Sequence, residues 1–308
     1  MLVDIGLIVA GLVLLFVGGD ALVRGAVALA VRLRMPPLLI GLTIVGFGTS
    51  MPELLVSVQA AFAGVPDIAV GNVVGSNTAN ILLILGLAML IAPMPTRIAG
   101  LGRDLSVMLA SAFALAAVAW AGIMSAPIGL AFFAALVAYL AYSAVTGRST
   151  APDLAPDAVG SPVWKTLAIA GAGLAALIFG ADFLVDGASR IARVIGLSDA
   201  VIGLTVVAVG TSLPELATSV ASALRRQPEI AIGNVVGSNI FNILGILGIT
   251  AMLSPIPVAA EIAAFDIPVM LVVSLGIAVL LLSLRRLPRV AGLALLVAYG
   301  WYCAVLLA

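Results

Sequence analysis

Two glutamates lie deep inside long apolar stretches of the chain. Around Glu53 and Glu215 no other ionisable residue occurs for about ten positions on either side, except Arg225 and Arg226 at the far end of the second stretch. A carboxylate inside a membrane is costly unless it meets a counter-charge or water. The sequence therefore predicts that these two side chains bind a cation. The alternative is a pair of structural, protonated glutamates bonded to neighbouring helices.

The residues before each glutamate predict a broken helix. The motif GTSMPE ends at Glu53, and GTSLPE ends at Glu215. Glycine weakens a helix, and proline lacks the amide donor and clashes with the preceding turn. We therefore expect breaks near Thr49–Ser50 and Thr211–Ser212, which free backbone carbonyls that a membrane tolerates only where they line a cavity or are otherwise satisfied. With the hydroxyls and the carboxylate they form an all-oxygen cluster of the kind that Na⁺ and Ca²⁺ prefer. A simple proline kink, with hydroxyls bonded back to the helix, remains the alternative.

A second motif, GNVVGSNxxN, adds neutral oxygens. Its serine and last asparagine are four residues apart and so share a helix face: Ser76 with Asn80, and Ser238 with Asn242. We predict that the other asparagines cap helices or bond across them; these are Asn72, Asn77, Asn234 and Asn239. The glycines follow the small-xxx-small spacing of close helix contacts, which predicts packing for Gly71, Gly75, Gly233 and Gly237.

Both motifs occur twice at one constant offset of 162 residues, which indicates a duplication. We predict a first five-helix repeat over 1–146 with its motif region at 41–80, a cytoplasmic linker at 147–162, and a second repeat over 163–308 with its motif region at 203–242. The predicted spans are 3–33, 38–63, 68–92, 104–123, 126–146, 163–193, 199–224, 229–253, 262–284 and 289–307. An odd number of spans per copy inverts the second copy, as in many secondary transporters.

Composition and charge place these helices in a membrane. Of 308 residues, 63% are hydrophobic and 9% are charged, whereas soluble domains carry about 25% charged residues. With the N-terminus outside, all basic residues except Arg190 and Arg193 fall on the cytoplasmic side. We therefore expect a multi-pass protein of the cell inner (plasma) membrane with both termini outside and a retained first helix. The chain has no histidine, the commonest ligand for transition metals, and its single cysteine, Cys303, excludes a disulfide framework.

The two duplicated motifs resemble the alpha repeats of the calcium/cation antiporter superfamily, specifically those of prokaryotic sodium/calcium exchangers. The resemblance covers the whole chain in span count and layout. It implies an all-α membrane protein of ten transmembrane helices, built as two inverted five-helix repeats with helices 2, 3, 7 and 8 broken. In this family helices 2, 3, 7 and 8 form the ion-binding core, and the long helices 1 and 6 slide against it.

The resemblance also implies roles for individual residues. Glu53 and Glu215 would be ligands shared by Ca²⁺ and Na⁺, and the backbone carbonyls of Thr49 and Thr211 would join the Ca²⁺ site. One flanking Na⁺ site would consist of Thr49, Ser50, Ser76 and the Gly46 carbonyl. The other would consist of Thr211, Ser212, Ser238 and the Ala208 carbonyl, while Asn80 and Asn242 would complete the middle of the cluster.

The implied function is secondary antiport of Na⁺ for Ca²⁺ by alternating access at a midplane site. The alternative is a Ca²⁺ (or other divalent) exchanger of the same fold coupled to H⁺ or dependent on K⁺. The second motif lacks the glutamate usual in proton-coupled relatives, and both copies lack the aspartate that follows the proline in one repeat of K⁺-dependent relatives. Some prokaryotic relatives carry aspartate where this chain has Asn242, which bears on stoichiometry and proton sensitivity.

The same residues bear on two other function classes, an intramembrane hydrolase and a passive channel. An intramembrane hydrolase would want carboxylates close enough to share a proton, and without histidine the chain lacks the usual general base. The sequence therefore predicts no enzyme and no cofactor apart from the transported ions. A passive channel stays open and would be recognised by its conductance. The expected partners are Na⁺, Ca²⁺ and the lipid bilayer, with no nucleic acid and with the monomer as the functional unit.

Overall fold

The computed structural model describes residues 2–33, 35–146, 162–194 and 208–306, and nearly all of them are helical. The helices of the first copy are α1 (Leu2–Leu33), α2 (Pro37–Thr49), α3 (Met51–Phe62), α4 (Pro66–Ala79, Asn80–Leu85 and Gly86–Ile91 in succession), α5 (Leu101–Trp120) and α6 (Ala126–Thr146). Those of the second copy are α7 (Val163–Val194), α8 (Ala208–Thr211), α9 (Leu213–Leu224), α10 (Pro228–Leu253), α11 (Ile262–Ser283) and α12 (Arg289–Leu306).

Within the described residues, eight helices are long and apolar enough to cross a membrane. A ninth crossing is available if α2 and α3, which meet at an angle of 44°, form one bent span. Each of these helices matches a predicted span closely. Of the predicted span at 199–224, α8 and α9 cover the second part, and 199–207 lie outside the described residues, as does 147–161 of the predicted linker.

The third and eighth spans differ from the prediction, because both are continuous rather than broken. α4 passes through a π-helical segment at Asn80–Leu85, and α10 through one at Phe241–Leu247. The interior of each helix carries glycine but no proline, so no backbone donor is lost and the helix widens instead of breaking. Such π-helical turns are frequent at functional sites, and these two contain Asn80 and Asn242.

Four two-residue strands join the loops of the two copies. The strands are β1 (Met94–Pro95), β2 (Ile123–Met124), β3 (Ile256–Pro257) and β4 (Arg286–Leu287). β1 pairs with β4 and β2 pairs with β3, both antiparallel. Each pair therefore joins one loop of the first copy to one loop of the second, and β1–β4 maps onto β3–β2 when the copies are exchanged.

The helices α1 and α7 pack side by side, and glycines at their contacts allow the two backbones to approach closely. A Cβ on Gly11 would lie 2.7 Å from the Gly180 carbonyl oxygen, and a Cβ on Gly18 would lie 2.8 Å from the Gly173 carbonyl oxygen. Gly11 corresponds to Gly173 and Gly18 to Gly180 at the repeat offset, so the two contacts exchange with the copies. Asp20 of α1 forms ion pairs with Arg24 and with Arg225 beyond the end of α9.

The helices α4 and α10 form the centre of the molecule. In the most apolar part of α10, 89% of the residues are buried, and in that of α4, 72%; in α12 the share is 11%. The outer helices direct large apolar side chains outward, Phe16 and Trp301 among them, as lipid-facing helices do. The close packing predicted for Gly233 and Gly237 is confirmed, because a Cβ on either would lie 2.5 Å from the backbone of α2. The same prediction is wrong for Gly71 and Gly75, where an added Cβ would meet no described atom closer than 3.9 Å.

Two hydrogen bonds from tyrosine to aspartate join corresponding pairs of outer helices, α6 to α5 in the first copy and α12 to α11 in the second. Tyr139 of α6 donates to Asp104 at the start of α5, at 3.0 Å, and Tyr302 of α12 donates to Asp266 at the start of α11, at 2.8 Å. Asp266 is partly buried against this tyrosine. Asp104 corresponds to Asp266 at the repeat offset, so the two copies use the same acid here.

Candidate functional site

The helix breaks lie where the sequence predicts them. α2 ends at Thr49, Ser50 leaves the helical conformation (φ −83°, ψ 8°), and α3 begins with Pro52 in its first turn. In the second copy Ser212 is the corresponding break (φ −86°, ψ 5°) between α8 and α9. The Pro52 and Pro214 nitrogens carry no hydrogen, so the helical bond to the carbonyl four residues earlier is missing at both breaks. The breaks therefore leave polar backbone inside the protein.

The two glutamates face each other's helix break. Glu53 and Glu215 lie in the first turns of α3 and α9, and each side chain is 1% exposed. Ser50 Oγ donates to Glu215 Oε1 at 2.8 Å, and Ser212 Oγ donates to Glu53 Oε1 at 3.2 Å. The carboxylate of each copy is thus held by the serine of the other. A helix N-terminus favours negative charge, while neither carboxylate forms an ion pair with a described basic residue.

The predicted hydroxyl ligands surround this pair. Ser212 Oγ also lies 3.3 Å from Ser76 Oγ, so Ser76 contacts a serine that the resemblance assigns to the other flanking Na⁺ site. Thr49 Oγ1 donates to the Val45 carbonyl at 3.0 Å, as the alternative of a proline kink with hydroxyls bonded back to the helix predicts, and its oxygen keeps lone pairs for a cation. Thr211 and Ser238 are buried, and Gly46 and Ala208 begin the short helical turns just before the breaks.

Two asparagines of the central helices α4 and α10 form hydrogen bonds to the helical turns that contain the glutamates. Asn72 of α4 donates to the Glu53 carbonyl at 3.2 Å and to Ser57 Oγ at 3.1 Å. Asn234 of α10 donates to the Glu215 carbonyl at 3.2 Å and to Ser219 Oγ at 3.0 Å. These contacts confirm that both asparagines bond across helices.

The remaining four asparagines connect α4 and α10 directly. Asn77 Nδ2 donates to the Asn239 carbonyl at 3.2 Å, and Asn239 Nδ2 donates to the Asn77 carbonyl at 3.4 Å. Asn80 Nδ2 donates to Asn239 Oδ1, and Asn242 Nδ2 donates to Asn77 Oδ1, both at 3.0 Å. Every contact has a counterpart when the copies are exchanged. The cross-helix role predicted for Asn77 and Asn239 is confirmed.

Five buried side-chain oxygens of the predicted site have no hydrogen-bond partner among the described residues. They are Glu53 Oε2, Glu215 Oε2, Asn80 Oδ1, Asn242 Oδ1 and Ser238 Oγ. An unpaired buried oxygen is costly, and for a charged one the penalty is larger. All five belong to residues that the sequence nominated as cation ligands. The described residues contain no group of three or more His, Cys, Asp or Glu that could hold a metal ion. The carboxylate, amide and hydroxyl oxygens of the predicted site are donors of the kind that hard cations prefer.

The motifs indicate the types of ligand but not how the ligands of the two copies are arranged around each other. The crosswise contacts Ser50–Glu215 and Ser212–Glu53 depend on how the copies approach each other, which a single copy does not encode. The direction of each amide in the asparagine group also depends on a backbone carbonyl of the other copy. The one available signal was the repeat itself, since any contact between the copies must occur twice.

Known proteins match this chain over nearly its whole length. A family model described as sodium/calcium exchanger protein matches residues 3–145 and 165–308. Sodium/calcium exchanger MaX1 of Methanosarcina acetivorans is 33% identical over 340 residues, 97% of each chain. Inner membrane protein YrbG of Escherichia coli strain K12 is 37% identical over 302 residues, 94% of this chain and 91% of its own. A solved structure of the sodium-calcium exchanger NCX_Mj, soaked with Na⁺ and Sr²⁺, matches with a TM-score of 0.87 at 32% identity over 98% of each chain.

Proposed function

Because this chain belongs to the sodium/calcium exchanger family, we propose that it is a secondary antiporter that exchanges Na⁺ for Ca²⁺ by alternating access. The family is one of transporters rather than enzymes. The observation that carries the proposal is that Glu53, Glu215 and three of the other predicted ligands each keep a buried oxygen without a hydrogen-bond partner among the described residues. Bound cations would supply the partners that these oxygens lack, and no hydrogen bond within the described protein does so.

The charge of the site explains why the two ions would compete. Two carboxylates balance one Ca²⁺ or two Na⁺, so either occupancy leaves the site neutral. A site with uncompensated charge has a large desolvation penalty in the low-dielectric interior. The empty or half-occupied site would therefore cross between the two membrane faces slowly, and this penalty couples the two ion flows.

We assign ligands as the family resemblance implies. Glu53 and Glu215 bind both ions, and the backbone carbonyls of Thr49 and Thr211 join them for Ca²⁺. Ser50 and Ser76 with the Gly46 carbonyl, and Ser212 and Ser238 with the Ala208 carbonyl, complete the flanking Na⁺ positions, and Asn80 and Asn242 stand between them. The contact of Ser212 with both Glu53 and Ser76 supports flanking positions that share oxygens from the two copies.

We propose that the chain crosses the membrane ten times, as two inverted copies divided by a linker at 147–162. The strand pairs support this count. The paired strands β1 and β4 lie on one side of the membrane, so an even number of crossings must separate them. Five full-length helices, α5, α6, α7, α10 and α11, lie between them, and the segment that ends in α9 supplies the sixth. The same reasoning applies to β2 and β3.

We expect both termini on the outside, and labelling of single cysteines tests this. In a Cys303→Ser background, Arg285→Cys lies beside β4 and Ala121→Cys precedes β2, and both positions are exposed. A membrane-impermeant thiol reagent added to intact cells should label Ala121→Cys, whereas Arg285→Cys should react only after the cells are opened. The reverse pattern would invert the proposed orientation, and labelling of both residues from one side would contradict the crossing count.

Flux in proteoliposomes tests the coupling ions. Vesicles loaded with Na⁺ and diluted into Na⁺-free medium should take up ⁴⁵Ca²⁺, and replacing internal Na⁺ with choline should reduce uptake to the level of protein-free vesicles. Uptake that persists in choline and follows an imposed pH gradient would show H⁺ coupling instead. A requirement for K⁺ beside Na⁺ would identify the K⁺-dependent alternative, which is favoured by short matches to human sodium/potassium/calcium exchangers 2 and 3 over 73 and 71 residues.

A further inference from the structure

The amide groups at the centre of the site have a direction that the protein backbone fixes. Asn77 Nδ2 lies 3.2 Å from the main-chain oxygen of Asn239. A carbonyl oxygen only accepts, so the atom facing it must be the Asn77 nitrogen. Asn77 Oδ1 is thereby turned to Asn242, whose Nδ2 donates to it at 3.0 Å. The Asn242 oxygen is left over, buried and without a partner in the described protein.

The equivalent series of hydrogen bonds starts from Asn239 of the second copy and ends at Asn80 of the first. Asn239 Nδ2 lies 3.4 Å from the Asn77 carbonyl and 3.9 Å from Met108 Sδ. Neither of these atoms carries a hydrogen to donate, so the facing atom is again the nitrogen. Asn239 Oδ1 accepts from Asn80 Nδ2 at 3.0 Å, and Asn80 Oδ1 is the oxygen left over.

We propose that Asn77 and Asn239 are positioning residues that orient the amides of Asn242 and Asn80, so that both present oxygen rather than N–H to the transported cation. The inference rests on the proposed function. The two ends of a carboxamide are nearly equal in size but opposite in polarity. A rotation of 180° would therefore replace a ligand oxygen by a donor that repels a cation, with no change in packing.

A purely structural role does not account for the pattern. All four nitrogens of the group donate to protein atoms, and the two atoms without partners are both oxygens. Hydrogen bonds that only joined α4 to α10 would not require every donor to be used and an oxygen to be left over in each copy. Partners that orient metal ligands commonly change affinity by about 10- to 100-fold when removed.

A double-mutant cycle on Ca²⁺ binding tests the proposal. Equilibrium ⁴⁵Ca²⁺ binding is measured on the purified full-length protein for Asn77→Ala, Asn242→Ala and the double variant. We expect Asn77→Ala to weaken binding by about 10-fold or more. In the Asn242→Ala background the same change should have no further effect, because Asn77 acts through the Asn242 amide. Fold-changes that multiply in the double variant would overturn the inference.

The second copy repeats the test and supplies its control. Asn239→Ala with Asn80→Ala should again be non-additive, whereas the crossed pair Asn77→Ala with Asn80→Ala should multiply. If Asn77→Ala does not yield folded protein, judged by its thermal unfolding, Asn77→Ser and the second pair provide the measurement. If a variant of Asn77 or Asn239 lowers the unfolding temperature but leaves the Ca²⁺ affinity of the folded protein unchanged, that residue has only a packing role. This result would contradict the proposal.

Two reference variants separate this inference from the proposed function. Glu53→Gln and Glu215→Gln should each lose Ca²⁺ binding in the same assay. If they bind Ca²⁺ normally, the site itself is wrong and the proposed function fails. If they lose binding but the asparagine cycles are multiplicative, the site stands and only the orienting role is refuted.

Discussion

Glu53→Gln or Glu215→Gln is expected to abolish Na⁺-driven ⁴⁵Ca²⁺ uptake. Each substitution keeps the size of the side chain and removes one of the two negative charges that would balance Ca²⁺. Removing one partner of a buried, paired charge costs about 3–5 kcal/mol, which corresponds to a loss of Ca²⁺ affinity of roughly 150- to 4,000-fold. Uptake measured in proteoliposomes over a range of Ca²⁺ concentrations gives both the apparent affinity and the maximal rate.

Glu261→Gln is the matched control for these variants. Glu261 begins the turn before α11 and is exposed, so the same chemical change occurs there outside the site. Its uptake should equal that of the unmodified protein. Full uptake by either Glu53→Gln or Glu215→Gln would show that Ca²⁺ does not need both carboxylates, and the proposed mechanism would then be wrong.

The duplication made much of this fold predictable. Once GTSMPE and GTSLPE are aligned, the constant offset places every element of one copy on an element of the other. The break at Ser50 follows from Gly48 and Pro52, because glycine and proline act through local backbone chemistry that does not depend on the rest of the protein. Local chemistry is also why the ends of the predicted spans agree with the helices.

What the sequence did not reveal depends on the approach of distant helices. Asp104 resembles an ordinary acid in the first turn of a helix, yet it is fully buried, with Tyr139 of α6 donating to it and Arg103 paired with it. The π-helical segment at Asn80 replaces a predicted break, because nothing in the local sequence removes a hydrogen bond there. The pairing of Ser76 with Ser212 joins residues that were predicted to serve separate ions. Each of these features depends on how helices far apart in the sequence pack together, and the residues around each position give no signal of that packing.

Gly237→Ala is expected to damage stability and transport together. An added Cβ would lie 2.5 Å from the Leu42 Cα and carbonyl oxygen, and these backbone atoms move only if α2 moves. Overpacking of this kind costs roughly 3 kcal/mol, which corresponds to a drop of about 5–10 °C in the unfolding temperature. Because α2 leads directly into Thr49 and Ser50, a displaced α2 would also carry the hydroxyl of Ser50 away from Glu215. The unfolding temperature in detergent and the initial rate of ⁴⁵Ca²⁺ uptake measure the two effects.

Gly276→Ala separates the effect of the contact from that of the substitution. Gly276 lies exposed within α11, and no described atom comes within 4 Å of an added Cβ there. Alanine favours a helix over glycine by about 1 kcal/mol, so this variant should unfold at the same temperature or slightly higher and transport normally. If Gly237→Ala behaved like Gly276→Ala, the close approach of α10 to α2 would not be needed to hold Ser50 beside Glu215. If Gly237→Ala lowers both the unfolding temperature and the uptake rate while Gly276→Ala changes neither, the ion site depends on a contact between the copies in which no ligand takes part.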